Sequence, residues 1–245
     1  MGAGRPAVNQ ILIAVVAEAP RDARVVKRLF ERAGGHVEAR LVGPSMGDPP
    51  FIKWADVPKL LLQHRVKARQ GHFNGVPGKA DSAAAANVLL LIRNWRKVGG
   101  QLDAVVLQRD IDKQPERREG LTQGRDAVPL DVPVVVGVAD PKIEAWAICA
   151  FESADAEGQE RLKALRTELG FDPREESHLL GASETGAKRN AKRVLEALLG
   201  AGDEAFRPLC EAAPLDTLRL RGSRNGLAEF LSDAGAVIPE IVVES

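Results

Sequence analysis

Three stretches of the chain are apolar almost without interruption: Ile11 to Ala17, Leu102 to Leu107, and Val132 to Ala139. They are rich in Val and Ile. Continuous runs of this kind predict strands buried on both faces, whereas strands with one wet face alternate. Between them the spacing is helical. Val25, Val26, Leu29, Phe30 and Ala33 recur every three or four residues after Pro20, which suits a first helical turn, and Gly34-Gly35 stops the pattern. A second helix runs through AAAANVLLLIRNWRKV, capped by Asp81 or Ser82 and ended by Gly99-Gly100. Val37 to Val42 reads as a strand, and VPKLLLQHRVKARQ from Val57 as a short helix carrying His64, Arg65, Lys67 and Arg69. Residues 43–50 and 71–79 are loops by composition, and 114–131 is a polar, charged connection. Asp140-Pro141 opens a helix, KIEAWAICAFE. Beyond Phe151 the pattern changes to helix and loop, with ERLKALRTELG and AKRNAKRVLEALLG amphipathic. The expectation is an α/β fold: a mostly parallel sheet flanked by helices over residues 1–151, with a helical C-terminal region, 152–245, packed on it.

The 245 residues are 44% hydrophobic, enough for a sizeable core. Basic and acidic residues balance, so net charge lends no support to nucleic-acid binding and only local clusters could. Tyr is absent and aromatics are 4%, which argues against a base-stacking platform. Cys149 and Cys210 form no CxxC, which excludes a four-ligand zinc site and fits a reducing cytoplasm. ILIAVVAEA has the outline of a signal-peptide core, but it is short, has only Arg5 before it and feeds a helix at once. No run approaches the ~20 residues of a membrane span. The chain is expected to be soluble and cytoplasmic.

Acids follow each of the three strands: Glu18, then Asp110 and Asp112, then Asp140, with Glu144 a helical turn later. In parallel sheets functional groups gather just beyond the carboxyl ends of strands. If LQRDID stays extended, Asp110 and Asp112 share a side, and two carboxylates held together repel unless a cation joins them. Magnesium-like ions take such oxygens. Each acid also has an ordinary explanation. Acids are common where loops begin, Glu18 and Glu144 suit helix N-termini, and Asp140 before Pro141 is most simply an N-cap.

The conjunction AVVAEAPRDARVVKRLF with Glu18, then AVVLQRDID with Asp110 and Asp112, resembles a Toprim domain, the catalytic module of topoisomerases, primases and OLD-type nucleases. The nearer resemblance is to small bacterial Toprim-like proteins of the DUF4276 group, through VVVGVADPKIEAWAIC with Glu144, Ala145 and Trp146, and through LRLRGSRNGLAEFL. It departs where Ala17 and Ala19, not a Gly, flank Glu18. The resemblance implies a metal-dependent nuclease hydrolysing phosphodiesters. Asp110 and Asp112 would hold magnesium or manganese, Glu18 would be a further ligand or the general acid/base, and Glu144 a ligand or its orienter. It also implies a nucleic-acid substrate, DNA before RNA, a role in bacterial defence, a partner ATPase and room for a homo-oligomer.

Cations for a substrate phosphate are available at Arg21 and Arg24, at Arg109 and Lys142, and in RLRGSRNG, where Arg221, Ser223 and Arg224 flank a turn able to offer N–H groups. A plain turn with a helix cap by Ser223 or Asn225 is the simpler explanation of that segment. Lys188, Arg189, Lys192 and Arg193 read as a solvated helix face. His36, His64, His72 and His178 are scattered, no GxxxxGK[ST] phosphate loop exists, and Trp54, Trp95 and Trp146 read as packing residues. A non-catalytic subunit that binds an ATPase or nucleic acid is the alternative to an enzyme. A receiver-like phospho-acceptor ranks last, because Lys142 lies beyond Pro141 and not on a strand end.

Overall fold

A computed structural model describes residues 10–35, 37–45, 50–73, 75–153, 155–199 and 213–244. Cys210, His36, residues 46–49 of the first loop and Asn74 of the second lie outside the described residues.

The sheet has the order β2-β1-β6-β7, all parallel, from β1 (Gln10–Ala17), β2 (Glu38–Leu41), β6 (Ala104–Asp110) and β7 (Val134–Ala139). The two-residue β3 (Ile52–Lys53) continues the β2 edge, pairing with Val16 and Ala17 of β1. A small antiparallel hairpin, β4 (His72–Phe73) and β5 (Val76–Pro77), stands apart. The chain is thus α/β with a mostly parallel sheet flanked by helices and a helical C-terminal region.

The apolar runs explain the layering. Side chains alternate along a strand, so Ile13 and Val15 of β1 face one core while Ala14 and Val16 face the other. On the first face lie α1 (Pro20–Ala33) and the long α9 (Leu227–Glu244). Trp146 of α5 (Ile143–Cys149) stacks there on Phe230 with ring centroids 5.2 Å apart. The second face carries α2 (Val57–Gln63), α3 (Ser82–Lys97) and α4 (Arg117–Ala127). A third cluster joins α5 to α6 (Ala156–Leu169) and α7 (Ala191–Leu199). The last short helix, α8 (Leu215–Arg221), precedes α9. No described helix is long and apolar enough to cross a membrane.

Four local expectations are corrected. Residues 114–131 hold a helix, α4, with a small buried face of Gly120, Leu121 and Gly124. A Cβ at Gly120 would sit 1.7 Å from the Ala80 carbonyl oxygen, and one at Gly124 2.5 Å from that of Ser82, so glycine lets α4 lie directly on α3. The helix from Val57 ends at Gln63, because Arg65 turns left-handed at φ 54°, and the basic residues fall beyond it. Asp81 stands before α3 with φ 65° and makes no side-chain cap. Asp140 is not the N-cap of α5 either. Lys142 occupies that place after a cis Asp140-Pro141 bond, and the Ile143 N–H is taken by the carboxylate of Asp110 at 2.9 Å.

Candidate functional site

β1, β6 and β7 run side by side in one direction, so their carboxyl ends bring Glu18, Asp110 and the start of α5 to one edge. The extended geometry expected through RDID stops at Asp110. Asp112 and Lys113 have φ 44° and 63°, and the two aspartates part. Asp110, 9% exposed, accepts hydrogen bonds from Ile143 N–H at 2.9 Å and Gln108 Nε2 at 3.2 Å. Asp112 turns to Arg117 at 3.2 Å and Lys142 at 3.8 Å.

The other acids of this edge are also matched with cations. Glu18 meets Arg109 at 2.6 Å, and Glu144, in the first turn of α5, meets Arg21. Asp81 lies between two arginines, 3.2 Å from Arg109 and 2.6 Å from Arg117. Arg117 also donates to the Asp110 carbonyl, and Arg109 lies over the Trp54 ring, 5.1 Å from its centroid. Trp54 is itself held by its Nε1–H on the Gln108 carbonyl at 2.7 Å. Asp22, in the first turn of α1, lies 4.0 Å from Arg21 and accepts the Ala19 N–H.

Six carboxyls therefore face four paired cations, Arg21, Arg109, Arg117 and Lys142. The two inner acids are pushed up, by burial first and by the neighbouring carboxylates second. Burial, then the charges of Glu144, Glu18 and Asp22, push Asp110 up from 3.8 to about 8. Burial, then Glu144, raise Asp22 to about 6 against the pull of Arg21 and the Ala19 N–H.

A hard divalent cation fits this set in donor chemistry, all carboxyl oxygen, and on binding would displace the proton that Asp110, pushed up to about 8, holds at neutral pH. The oxygens are not gathered round one point. Among the described residues no three acids are placed as ligands of one ion. Binding would require Glu18 to leave Arg109, Glu144 to leave Arg21, or Asp112 to leave Arg117.

The remaining sequence candidates lie elsewhere. Arg221, its side chain 9% exposed, is tied to Glu152 at 2.6 Å, Glu175 at 2.8 Å and the Cys149 carbonyl at 3.1 Å. Ser223 and Arg224 sit in the short 3-10 turn after it, and Arg224 acts on His178. This segment closes the end of β7, where the Asn225 carbonyl accepts the Asp140 N–H at 3.0 Å. Cys149 is a buried free thiol whose burial pushes it up to about 11. The residues that sequence reasoning missed are Asp22, Asp81, Arg117 and the platform role of Trp54. Asp81 looked like a cap and Arg117 like a loop residue, and neither carries a motif.

The chain matches no family model, no curated protein and no solved structure.

Proposed function

We propose that the chain is a magnesium- or manganese-dependent nuclease of Toprim type, hydrolysing phosphodiesters at the carboxyl edge of the sheet. The observation that carries this reading is the excess of carboxyl groups over paired cations where β1, β6 and α5 meet, with Asp110 buried among them and paired to no cation. Asp110, Glu18 and Glu144 would hold the ion, with Asp112 at the rim. Bound there, the cation supplies Lewis-acid stabilisation of negative charge on phosphate oxygens.

The protein's own groups account for the rest. Glu18, 36% exposed and directly after the last residue of β1, is the carboxylate we assign to proton exchange with water. Arg109 lies against it, and Arg21 and Lys142, paired with Glu144 and Asp112 of the same edge, add positive charge for a substrate backbone. Nucleic acid, DNA first, is the substrate class proposed. With few aromatics and no net positive charge, grip on the strand is assigned in part to a partner ATPase, in a defence setting. The alternative, a non-catalytic binding subunit, is favoured by one observation: Glu18, Glu144 and Asp112 are each matched to a cation of the chain itself.

Cleavage of labelled DNA with magnesium or manganese, against EDTA, separates the two. Wild-type cleavage should need the metal. Glu18→Gln keeps shape but cannot accept a proton and should lose about 10²–10⁴-fold in rate with no recovery at high metal. Asp112→Ala should lose metal affinity and recover in part with excess magnesium. Cleavage that survives EDTA, or both substitutions undiminished, would sink the nuclease and leave the binding subunit.

A further inference from the structure

We propose that Arg109 and Arg117, held as a pair by Asp81, are the seat for one phosphodiester group, masked by Glu18 and Asp112 until those carboxylates turn to a divalent cation. The inference rests on the cation reading above and adds to it which residues grip substrate and what keeps them silent without metal.

The pair is symmetrical in its partners. Arg109 lies between Asp81 and Glu18, and Arg117 between Asp81 and Asp112. The shared partner is the inner one: Asp81 is 15% exposed, while Glu18 and Asp112 are 36% and 38% exposed. The outer carboxylates can therefore swing into water while the arginines stay. Arg109 is also fixed by the Trp54 ring, and Arg117 by the Asp110 carbonyl. Asp81 gives up a cap on α3 to hold them, at a left-handed φ of 65°. Arg117 Nε is held 2.6 Å from Asp81 Oδ2, whereas the buried Arg109 Nε has no hydrogen-bond partner.

Charge selects the ligand. With both masks in place, Arg109, Arg117 and the Lys142 that reaches Asp112 face three carboxylates, so the seat has no net positive charge to draw a phosphate. With the masks withdrawn, the two guanidiniums and Asp81 carry one positive charge, the complement of a phosphodiester monoanion. Guanidinium forks suit that group.

The test needs no metal. Binding of a fluorescein-labelled single-stranded oligodeoxythymidylate to the full chain is followed by anisotropy in EDTA across a salt series. Glu18→Gln with Asp112→Asn should unmask the pair and tighten binding about tenfold, which is roughly 1.4 kcal/mol. The slope of log K against log salt should steepen by about 0.7, the value for one more phosphate neutralised on a single strand. Adding Arg109→Gln and Arg117→Gln should return both to wild type. Arg117 is buried, so if its variant does not fold, Arg109→Gln alone must cut the tenfold gain in affinity to about threefold or less. Neutralising Glu157 and Glu160 on α6 should give no such gain. An equal gain from that control, or a gain that survives loss of the arginines, would overturn the seat. A wild-type chain that binds no cation would sink the nuclease reading and the cation as the trigger, while the oligonucleotide series would still decide the arginine seat, so the two failures are distinguishable.

Discussion

The carboxyl edge of the sheet and the cluster around Arg221 are built from the same side chains, arginines set against Asp and Glu, and they come to opposite electrostatic ends. Around Arg221, charges are satisfied. Arg221 meets Glu152 and Glu175, and Arg174 meets Glu152 at 3.3 Å and Asp172 at 3.0 Å. Burial alone would raise Asp172, but hydrogen bonds from Arg174 and Arg166 override it and hold the carboxyl at about 2. Arg221 is raised for the same reason, Glu152 and Glu175 outweighing its burial. At the sheet edge the acids outnumber their partners, and Asp110 and Asp22 are pushed up. A balanced network is a brace, tying the end of α5 to α8. An unbalanced one costs stability until something positive arrives, which is why the second and not the first is the candidate site.

The largest effect expected from breaking this contrast is at the brace. Arg221→Met leaves Glu152 and Glu175 without their shared cation and the Cys149 carbonyl without its donor. A buried pair broken on one side costs several kcal/mol, and the half-exposed glutamates reduce that to about 2 kcal/mol. In a chain of this size that lowers Tm by about 6 °C in thermal unfolding. An unchanged Tm would mean that the brace holds nothing and the contrast is empty.

A smaller effect, of opposite sign, is expected at the edge. Asp110 has its folded pKa above its ordinary 3.8, so as pH rises the unfolded chain loses this proton first. Its contribution to metal-free stability falls between about pH 4 and about 8. Asp172, with its pKa lowered, contributes above pH 4 and loses that contribution as pH falls toward about 2. Asp110→Asn keeps a carbonyl oxygen for the Ile143 N–H and removes the charge. The pH 4–8 slope should flatten, and metal-free stability at pH 8 should stay level or rise by about 1 kcal/mol. A clear drop in apo Tm would make Asp110 a structural hydrogen-bond hub and not a strained carboxylate.

The part of this contrast legible in sequence is the part that strands determine. Runs buried on both faces must be apolar, so β1, β6 and β7 announce themselves, and so do Glu18 and Asp110 at their ends. What tertiary packing decides is hidden. The buried face of α4 is mostly glycine, which has no hydrophobic signal, so α4 and its Arg117 read as a loop. Asp81 follows a rule for caps and then serves two arginines 28 and 36 positions away. The direction of Asp112 depends on one left-handed residue that no pattern marks. Arg221 looked like a phosphate contact because nothing in RLRGSRNG reveals that Glu152 and Glu175 lie against it.

The central claim is that the carboxylate excess belongs to a divalent cation, and the most direct measurement is thermal unfolding of the isolated chain with manganese titrated at constant ionic strength. The predicted result is a saturable rise in Tm, reaching about 2.7 kcal/mol of added stability at a hundredfold excess over Kd. It should be lost in Asp110→Asn, whose amide has no proton to release on becoming a ligand and so supplies no anionic oxygen to the ion. A wild-type Tm that millimolar manganese does not move, or one that rises equally in Asp110→Asn, would contradict the claim.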